Sequence, residues 1–315
     1  MTQLRYVIRL IRALNLVFIV LTQYLLMYAV VKPVLQLAGM QPVLDHTGLI
    51  LLVFSTALTA AAGYVINDYF DVKIDALNRP AQTIVGRTVS RRMAILIHSM
   101  LNIAGVILGL LAATRVGIWF LGLVPMAVSL LLWFYSSWLK HKPLWGNILV
   151  SSLTALVVLI VGAYELMGQS LPARELRILK AYFWIIAGFA FWISLVRELV
   201  KDLEDIHGDE LAGSRTFPVV YGIRKAKYLV IVLSMVMFVA IAYFSSILFD
   251  PGQWEILLYV GLAVELPMAL MMAVIFRAQT QQDFHRASGL LKIVMLGGIL
   301  AMGIVHILAG PPNWI

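Results

Sequence analysis

The sequence predicts an all-α, polytopic membrane protein that crosses the bilayer about nine times. Three observations carry that expectation. Hydrophobic residues make up 62% of the 315 and charged residues only 13%, with a mean hydropathy of +0.92. A soluble domain carries about 25% charged residues, so this chain has too little polar surface to solvate a core. Apolar stretches of about 20 residues, the length a bilayer demands, recur along it. Basic residues collect in the short segments between those stretches, mostly on alternate ones, as membrane topology requires.

Taken in order, the spans fall at 13–37, 48–70, 92–113, 117–139, 145–168, 179–199, 226–248, 254–276 and 289–310. Arg5, Arg9 and Arg12 precede the first and give it the look of a signal peptide. No small-residue cleavage site follows and the apolar run is long enough to span, so it reads as an uncleaved first helix. Pro33, Gly39 and Pro42 are expected to break the chain before the second span. Segments 71–91 and 200–225 read as long cytoplasmic loops, with Gly86 and Gly222 behind them in turns. Four spans separate these loops, which suggests a duplicated four-helix unit with a ninth helix added, inside one domain covering 1–315.

With the N-terminus in the cytoplasm, the outer side holds only Lys32, Arg115, Arg174, Arg177 and Lys180 of the 24 Lys and Arg residues. That asymmetry supports nine crossings in a cell (inner) membrane. The formal charge of +8 therefore reads as topology and lipid head-group contact; no basic face or module suggests nucleic acid. With no Cys, the chain has neither a disulfide framework nor a thiolate metal site.

Chemistry concentrates at two places. After the second span the chain reads Asn67-Asp68-Tyr69-Phe70-Asp71-Val72-Lys73-Ile74-Asp75, and after the sixth Asp202-Leu203-Glu204-Asp205-Ile206-His207-Gly208-Asp209. Asp68, Asp71 and Asp75 have the same i, i+3, i+7 spacing as Asp202, Asp205 and Asp209. On a helix that spacing places three carboxylates within roughly 60° of arc. They repel one another beside a membrane unless a cation lies among them. Two such stripes at cytoplasmic helix ends make an oxygen-rich clamp suited to Mg²⁺ bridging a diphosphate, with Asn67 as a further oxygen donor. No His or Cys set has zinc spacing. Lys73, Arg79, Lys140, Arg197, Lys201 and Arg215 are candidates for the remaining phosphate oxygens.

Other residue classes carry less. His98, His285 and His306 are single histidines expected to be structural, and the 14 Met residues read as flexible packing. A transporter would place its acids near mid-bilayer, where only Glu265, two residues before Pro267, qualifies. An alcohol phosphatidyltransferase would need Gly and an Ala-Arg pair inside its aspartate motif, where this chain has Asp71-Val72-Lys73-Ile74-Asp75.

Asn67-Asp68-x-x-Asp71-x-x-x-Asp75 followed by Asn78-Arg79-Pro80, and Asp202-x-x-Asp205-x-x-x-Asp209 followed by Gly213-x-x-Thr216-x-Pro218, resemble the two signatures of the UbiA superfamily of intramembrane prenyltransferases. The resemblance implies a helical fold around a central cavity open to lipid, with an isoprenyl diphosphate held by Mg²⁺ at its cytoplasmic end. Weaker pieces are Arg12-x-x-Asn15 and the set Tyr135, Lys140, Gly146 and Asn147. The run Arg197-Glu198-Leu199-Val200-Lys201-Asp202 is most similar to the digeranylgeranylglyceryl phosphate synthase branch, which makes an ether bond on a glycerol phosphate lipid. Prenylation of an aromatic acceptor such as 4-hydroxybenzoate is the alternative. On this reading Asp71 and Asp205 ionise the diphosphate and Glu198 is a candidate base. Tyr64, Tyr69, Phe134, Tyr135 and Asn15 are candidates to line the pocket for the allylic cation.

Overall fold

The structure is a computed structural model, and it describes residues 3–78, 83–248 and 251–309. Among these, nine helices are long and apolar enough to cross a membrane. They are α1 (Ala13–Leu37), α2 (His46–Phe70), α3 (Arg91–Val116), α4 (Trp119–Ser137), α5 (Trp145–Gly168), α6 (Ala173–Leu211), α7 (Ile223–Ile247), α8 (Trp254–Arg277) and α9 (Gln281–Ala309). Short helices Gln3–Leu10, Val72–Asn78 and Phe217–Tyr221 lie outside the spans.

The expected spans therefore correspond to helices, with two differences of substance. Residues 200–211 are helix rather than loop, because α6 continues unbroken to Leu211. Charges interrupt the hydropathy there but not the helical backbone. Pro33 does not end α1 either. A π-helical turn at Leu26–Val31 precedes it, and the helix resumes with Pro33 near the start of a new segment, Lys32–Leu37. Pro267 in α8 is preceded by a similar turn, Gly261–Glu265. Proline removes one helical hydrogen bond and crowds the carbonyl four residues back, and a local π turn absorbs both.

Among the described residues, two large apolar clusters form the interior beside a small third one of Leu10, Val65, Ile84, Val85 and Ala94. One gathers α1, α2, α5 and the first half of α6 around Leu26, Leu52, Val158, Tyr164, Ile178 and Phe183. The other gathers the rest of α6 with α7, α8 and α9 around Leu199, Val230, Met271, Ile275 and Leu291. Helix α6 belongs to both and ties them together.

Without a hydrophobic drive between helices in lipid, close approach depends on small residues. The α2–α3 seam shows this: Ser55 donates from Oγ to the Gly105 carbonyl at 2.7 Å. A Cβ on Gly105 would lie 2.8 Å from Thr59 Oγ1. At the helix starts, Asp45 caps α2 by accepting from Gly48 N (2.7 Å) and Ser90 caps α3 by accepting from Met93 N (3.2 Å). Gly86 and Gly222 do occupy turns, with φ of 86° and 88°.

Candidate active site

The first aspartate cluster is not one continuous stripe. Helix α2 ends at Phe70, Asp71 serves as its C-cap with φ −86° and ψ 3°, and a new helix runs Val72–Asn78. Backbone bonds cross the break, from Asp71 N to the Asn67 carbonyl (2.9 Å) and from Asp75 N to the Asp71 carbonyl (2.8 Å). Asn67 Nδ2 donates to Asp71 Oδ2 at 2.8 Å, and Lys140 pairs through Nζ with Asp71 Oδ1. The second cluster, by contrast, lies on the unbroken α6, and Asn147 Nδ2 fixes Asp202 by donating to its Oδ2 at 2.8 Å.

These groups share a polar cavity of about 110 Å³ lined by Asn67, Asp71, Asp75, Lys140, Lys201, Asp202, Asp205 and Asp209. Six carboxylates, counting Glu198, face three cationic side chains there, Arg12, Lys140 and Lys201. Burial, then the neighbouring Asp71 and Asp68, push the Asp75 carboxyl up to about 6. Burial lowers the Lys140 ammonium despite its carboxylate partner. The cavity is electrically short of cations.

Its carboxylates and the Asn67 amide offer oxygen, the donor that Mg²⁺ prefers. Among the described residues no three His, Asp or Glu side chains stand close enough to hold a metal by themselves. Mg²⁺ typically shares one or two carboxylates with substrate phosphates and water.

Below the polar cavity opens an apolar chamber of about 460 Å³, to which all nine spans contribute lining. Arg12, Asn67, Tyr135, Glu198 and Lys201 line both spaces and so form the neck between them. Along α6, Ile185 and Glu198 both line the chamber, about 20 Å of helix apart at 1.5 Å per residue. The chamber thus reaches well into the bilayer. Its volume falls within the range of about 300–1,000 Å³ typical of small-ligand sites.

Among the described residues, two non-glycine residues adopt the left-handed conformation, and both immediately precede spanning helices: Arg12 (φ 50°) before α1, at the neck, and Leu144 (φ 65°) before α5. Such backbone is unfavourable for a side chain and marks places the surroundings over-determine. Three residues after each comes an asparagine, Asn15 in the apolar chamber and Asn147 on Asp202. The aspartates repeat with nearly the same offset. Gly146 is required between them, since a Cβ there would lie 2.8 Å from the Cα of Lys140.

The remaining candidates separate. Asp68 does not line the polar cavity; it pairs with Arg12 at 3.0 Å, and the Arg12 guanidinium lies 4.9 Å from the centre of the Tyr64 ring. Tyr64 and Asn15 line the chamber. Tyr69 is packed beneath Arg91, 4.4 Å from its ring centre, and Phe134 lies against Trp138; neither lines a cavity. Lys73 and Arg215 are exposed and line neither space. Arg197 lines the chamber alone. Arg79 and Pro80 lie outside the described residues, as does the side chain of Asn78.

Sequence reasoning passed over His141 and Ser214, which line the polar cavity together with Thr216 of the second signature. His141 joins Ser214 Oγ through Nδ1 at 2.9 Å, and its carbonyl accepts from Arg215 N at 3.1 Å, so the α4–α5 turn is tied to the loop after α6. Burial and the adjacent Lys140 lower its imidazole below the usual range. Of the three histidines expected to be structural, His98 bonds the Ala62 carbonyl at 2.9 Å and His285 bonds Glu204 at the same distance, whereas the Nδ1 of His306 is buried without a partner.

Comparison with known proteins gives a consistent picture. A family model described as the UbiA prenyltransferase family matches residues 16–296. The chain is 32% identical over 256 residues to a digeranylgeranylglyceryl phosphate synthase of Methanopyrus kandleri, covering 81% of this chain and 86% of that protein. It is 36% identical over 181 residues to the synthase of the same description from Methanospirillum hungatei. There the match spans 57% of this chain and 60% of the relative, less than two thirds of its length. A structure described as a UbiA homolog from Archaeoglobus fulgidus bound to GPP and Mg²⁺ superposes with a TM-score of 0.58 at 16% identity, over 95% of this chain and 99% of that one.

Proposed function

The chain belongs to the UbiA prenyltransferase family, and on that premise we propose that it transfers a geranylgeranyl group from its diphosphate to the hydroxyl of geranylgeranylglyceryl phosphate. One observation carries the reading. A carboxylate-rich polar cavity opens directly into a long apolar chamber, and the two share a neck of Arg12, Asn67, Tyr135, Glu198 and Lys201. A diphosphate fits the first, a prenyl chain the second, and the bond between them falls at the neck. The relatives named digeranylgeranylglyceryl phosphate synthase supply the acceptor.

Asp71 and Asp75 from one side, and Asp202, Asp205 and Asp209 from the other, would hold Mg²⁺ against the diphosphate. Held there, Mg²⁺ would supply neutralisation of the negative charge that grows on the leaving group. Lys140 and Lys201 hold the other phosphate oxygens in place. The chamber walls exclude water from the allylic carbon, and the face of Tyr135 offers electron density to the developing cation. As the carbon–oxygen bond breaks, the diphosphate leaves with the electron pair. The acceptor hydroxyl forms the new ether bond, and its proton passes to the Glu198 carboxylate. The distribution of Lys and Arg supports a site that faces the cytoplasm.

The test uses purified protein in lipid with labelled geranylgeranyl diphosphate and Mg²⁺, offered geranylgeranylglyceryl phosphate and 4-hydroxybenzoate in parallel. The expected result is Mg²⁺-dependent transfer to the glycerol lipid alone. Transfer to the aromatic would move the chain to the other acceptor class, and chelation without effect would remove the metal from the scheme.

A further inference from the structure

The two spaces have opposite electrical characters. The polar cavity carries an excess of carboxylates, whereas the chamber below it is lined by three cations, Arg12, Arg197 and Lys201, against the single carboxylate Glu198. Cations facing an apolar, low-dielectric space are costly unless an anion completes them. Arg12 already has Asp68, and Lys201 faces the polar cavity as well. Arg197 is left: it lines the chamber and not the polar cavity, and its side chain is 18% exposed. It spends one Nη1 bond, 3.1 Å long, on the adjacent Glu198. Its Nε is buried without a partner. A guanidinium has five donors in a fixed fork that matches phosphate.

Position separates this group from the diphosphate. Arg197 precedes Asp202 by five residues and Asp205 by eight, so it lies about 7.5 and 12 Å deeper along the helix axis. An anion beside Arg197 is thus a second anion, on the chamber side of the reacting carbon. We infer that Arg197, with Glu198 oriented beside it, forms the binding site for the phosphate of the acceptor, and that it makes the enzyme select a phosphomonoester lipid over its neutral counterpart. The inference rests on the acceptor class proposed above. In that acceptor the phosphate and the reacting hydroxyl sit on neighbouring carbons. Holding the phosphate at Arg197 therefore brings the hydroxyl to Glu198, the next residue.

The experiment compares wild type, Arg197→Gln and Arg197→Lys in lipid with Mg²⁺ and geranylgeranyl diphosphate, using the phosphorylated acceptor and its dephosphorylated form. Losing a charge-assisted contact should raise KM for the phosphorylated acceptor about ten- to a hundredfold in Arg197→Gln. KM for the prenyl diphosphate should hold, and Arg197→Lys should recover part of the loss. Preference over the dephosphorylated acceptor should collapse in Arg197→Gln. A rise in KM for the prenyl diphosphate instead, or an unchanged acceptor KM, would overturn the assignment. A parallel binding measurement uses lysophosphatidic acid on protein loaded with Mg²⁺ and an unreactive thio-analogue of the diphosphate. Arg197-dependent binding without any transfer by wild type would refute the proposed reaction and keep the phosphate site. Transfer with Arg197-independent binding would do the reverse.

Discussion

Asp71 sits where the helix breaks, and the break is what turns its carboxylate between Asn67 and Lys140. Asp205 faces it from a straight helix across a cavity that both line. Replacing either with Ala removes a metal-side oxygen without opening an apolar core. Asp71→Ala and Asp205→Ala should each cut turnover by about a thousandfold or more, the scale seen when charge stabilisation of a leaving group is removed. Membrane insertion and thermal stability should persist, and undiminished turnover in either variant would defeat the metal-clamp reading. The spacing of the aspartates was readable because helical periodicity converts i, i+3, i+7 into a shared face. The diversion of Asp68 was not, because it depends on Arg12, 56 positions away, adopting a left-handed backbone that no local pattern announces. His141 was invisible for a similar reason: its role comes from Ser214 across the cavity, not from its own neighbours in sequence.

At the level of helices, α6 explains how acids and lipid coexist on one element. Its 39 residues extend about 58 Å at 1.5 Å per residue, against a hydrocarbon core of about 30 Å. The surplus carries the aspartates beyond the apolar region while keeping them on one rigid face. Hydropathy located the apolar part of this helix and missed the rest, since hydropathy reports solvent and not backbone. The prolines misled in the opposite sense: their effect on hydrogen bonding was legible, but whether a π turn would absorb it depended on packing. In α8 that packing is specific. Pro267 follows the π turn, and a Cβ on Gly297 of α9 would collide with the carbonyl of Ala263, the residue four before that proline. Tyr259 donates to the Gly297 carbonyl at 2.8 Å from the same helix. Gly297→Ala should therefore destabilise the protein by about 1–3 kcal/mol through overpacking. Gly289→Ala on the same helix, where a Cβ meets open space, should be neutral or stabilising by up to about 1 kcal/mol. Thermal unfolding of both variants in one detergent decides it, and equal melting temperatures would mean that α8 and α9 separate easily.

The whole molecule is polarised from end to end. Its carboxylate cavity, its cationic neck and most of its basic residues lie toward one face, while acidic groups at the opposite end are paired with backbone N–H groups and with an arginine. Glu165, fully buried, accepts from Val43 N (2.9 Å) and Leu44 N (3.0 Å), and Asp45 pairs with Arg115 at 2.6 Å. A prenyl diphosphate would therefore bind with its diphosphate in the carboxylate cavity and its chain in the apolar chamber. The positive-inside rule predicts that the basic face lies in the cytoplasm, where water-soluble Mg²⁺ and diphosphate would be at hand. The absence of native Cys allows a direct test, because any thiol introduced is the only one in the chain. Lys225, exposed at the basic end, and Ser170, exposed at the other, are suitable single sites for Lys225→Cys and Ser170→Cys. In intact cells a membrane-impermeant maleimide should label Ser170→Cys and leave Lys225→Cys unreacted until the membrane is opened; in inverted vesicles the order should reverse. Labelling in the opposite order would place the catalytic cavity outside and overrule the charge asymmetry. Equal labelling of both sites in sealed cells would mean that the chain inserts in two orientations, with only one of the two populations able to draw Mg²⁺ from the cytoplasm.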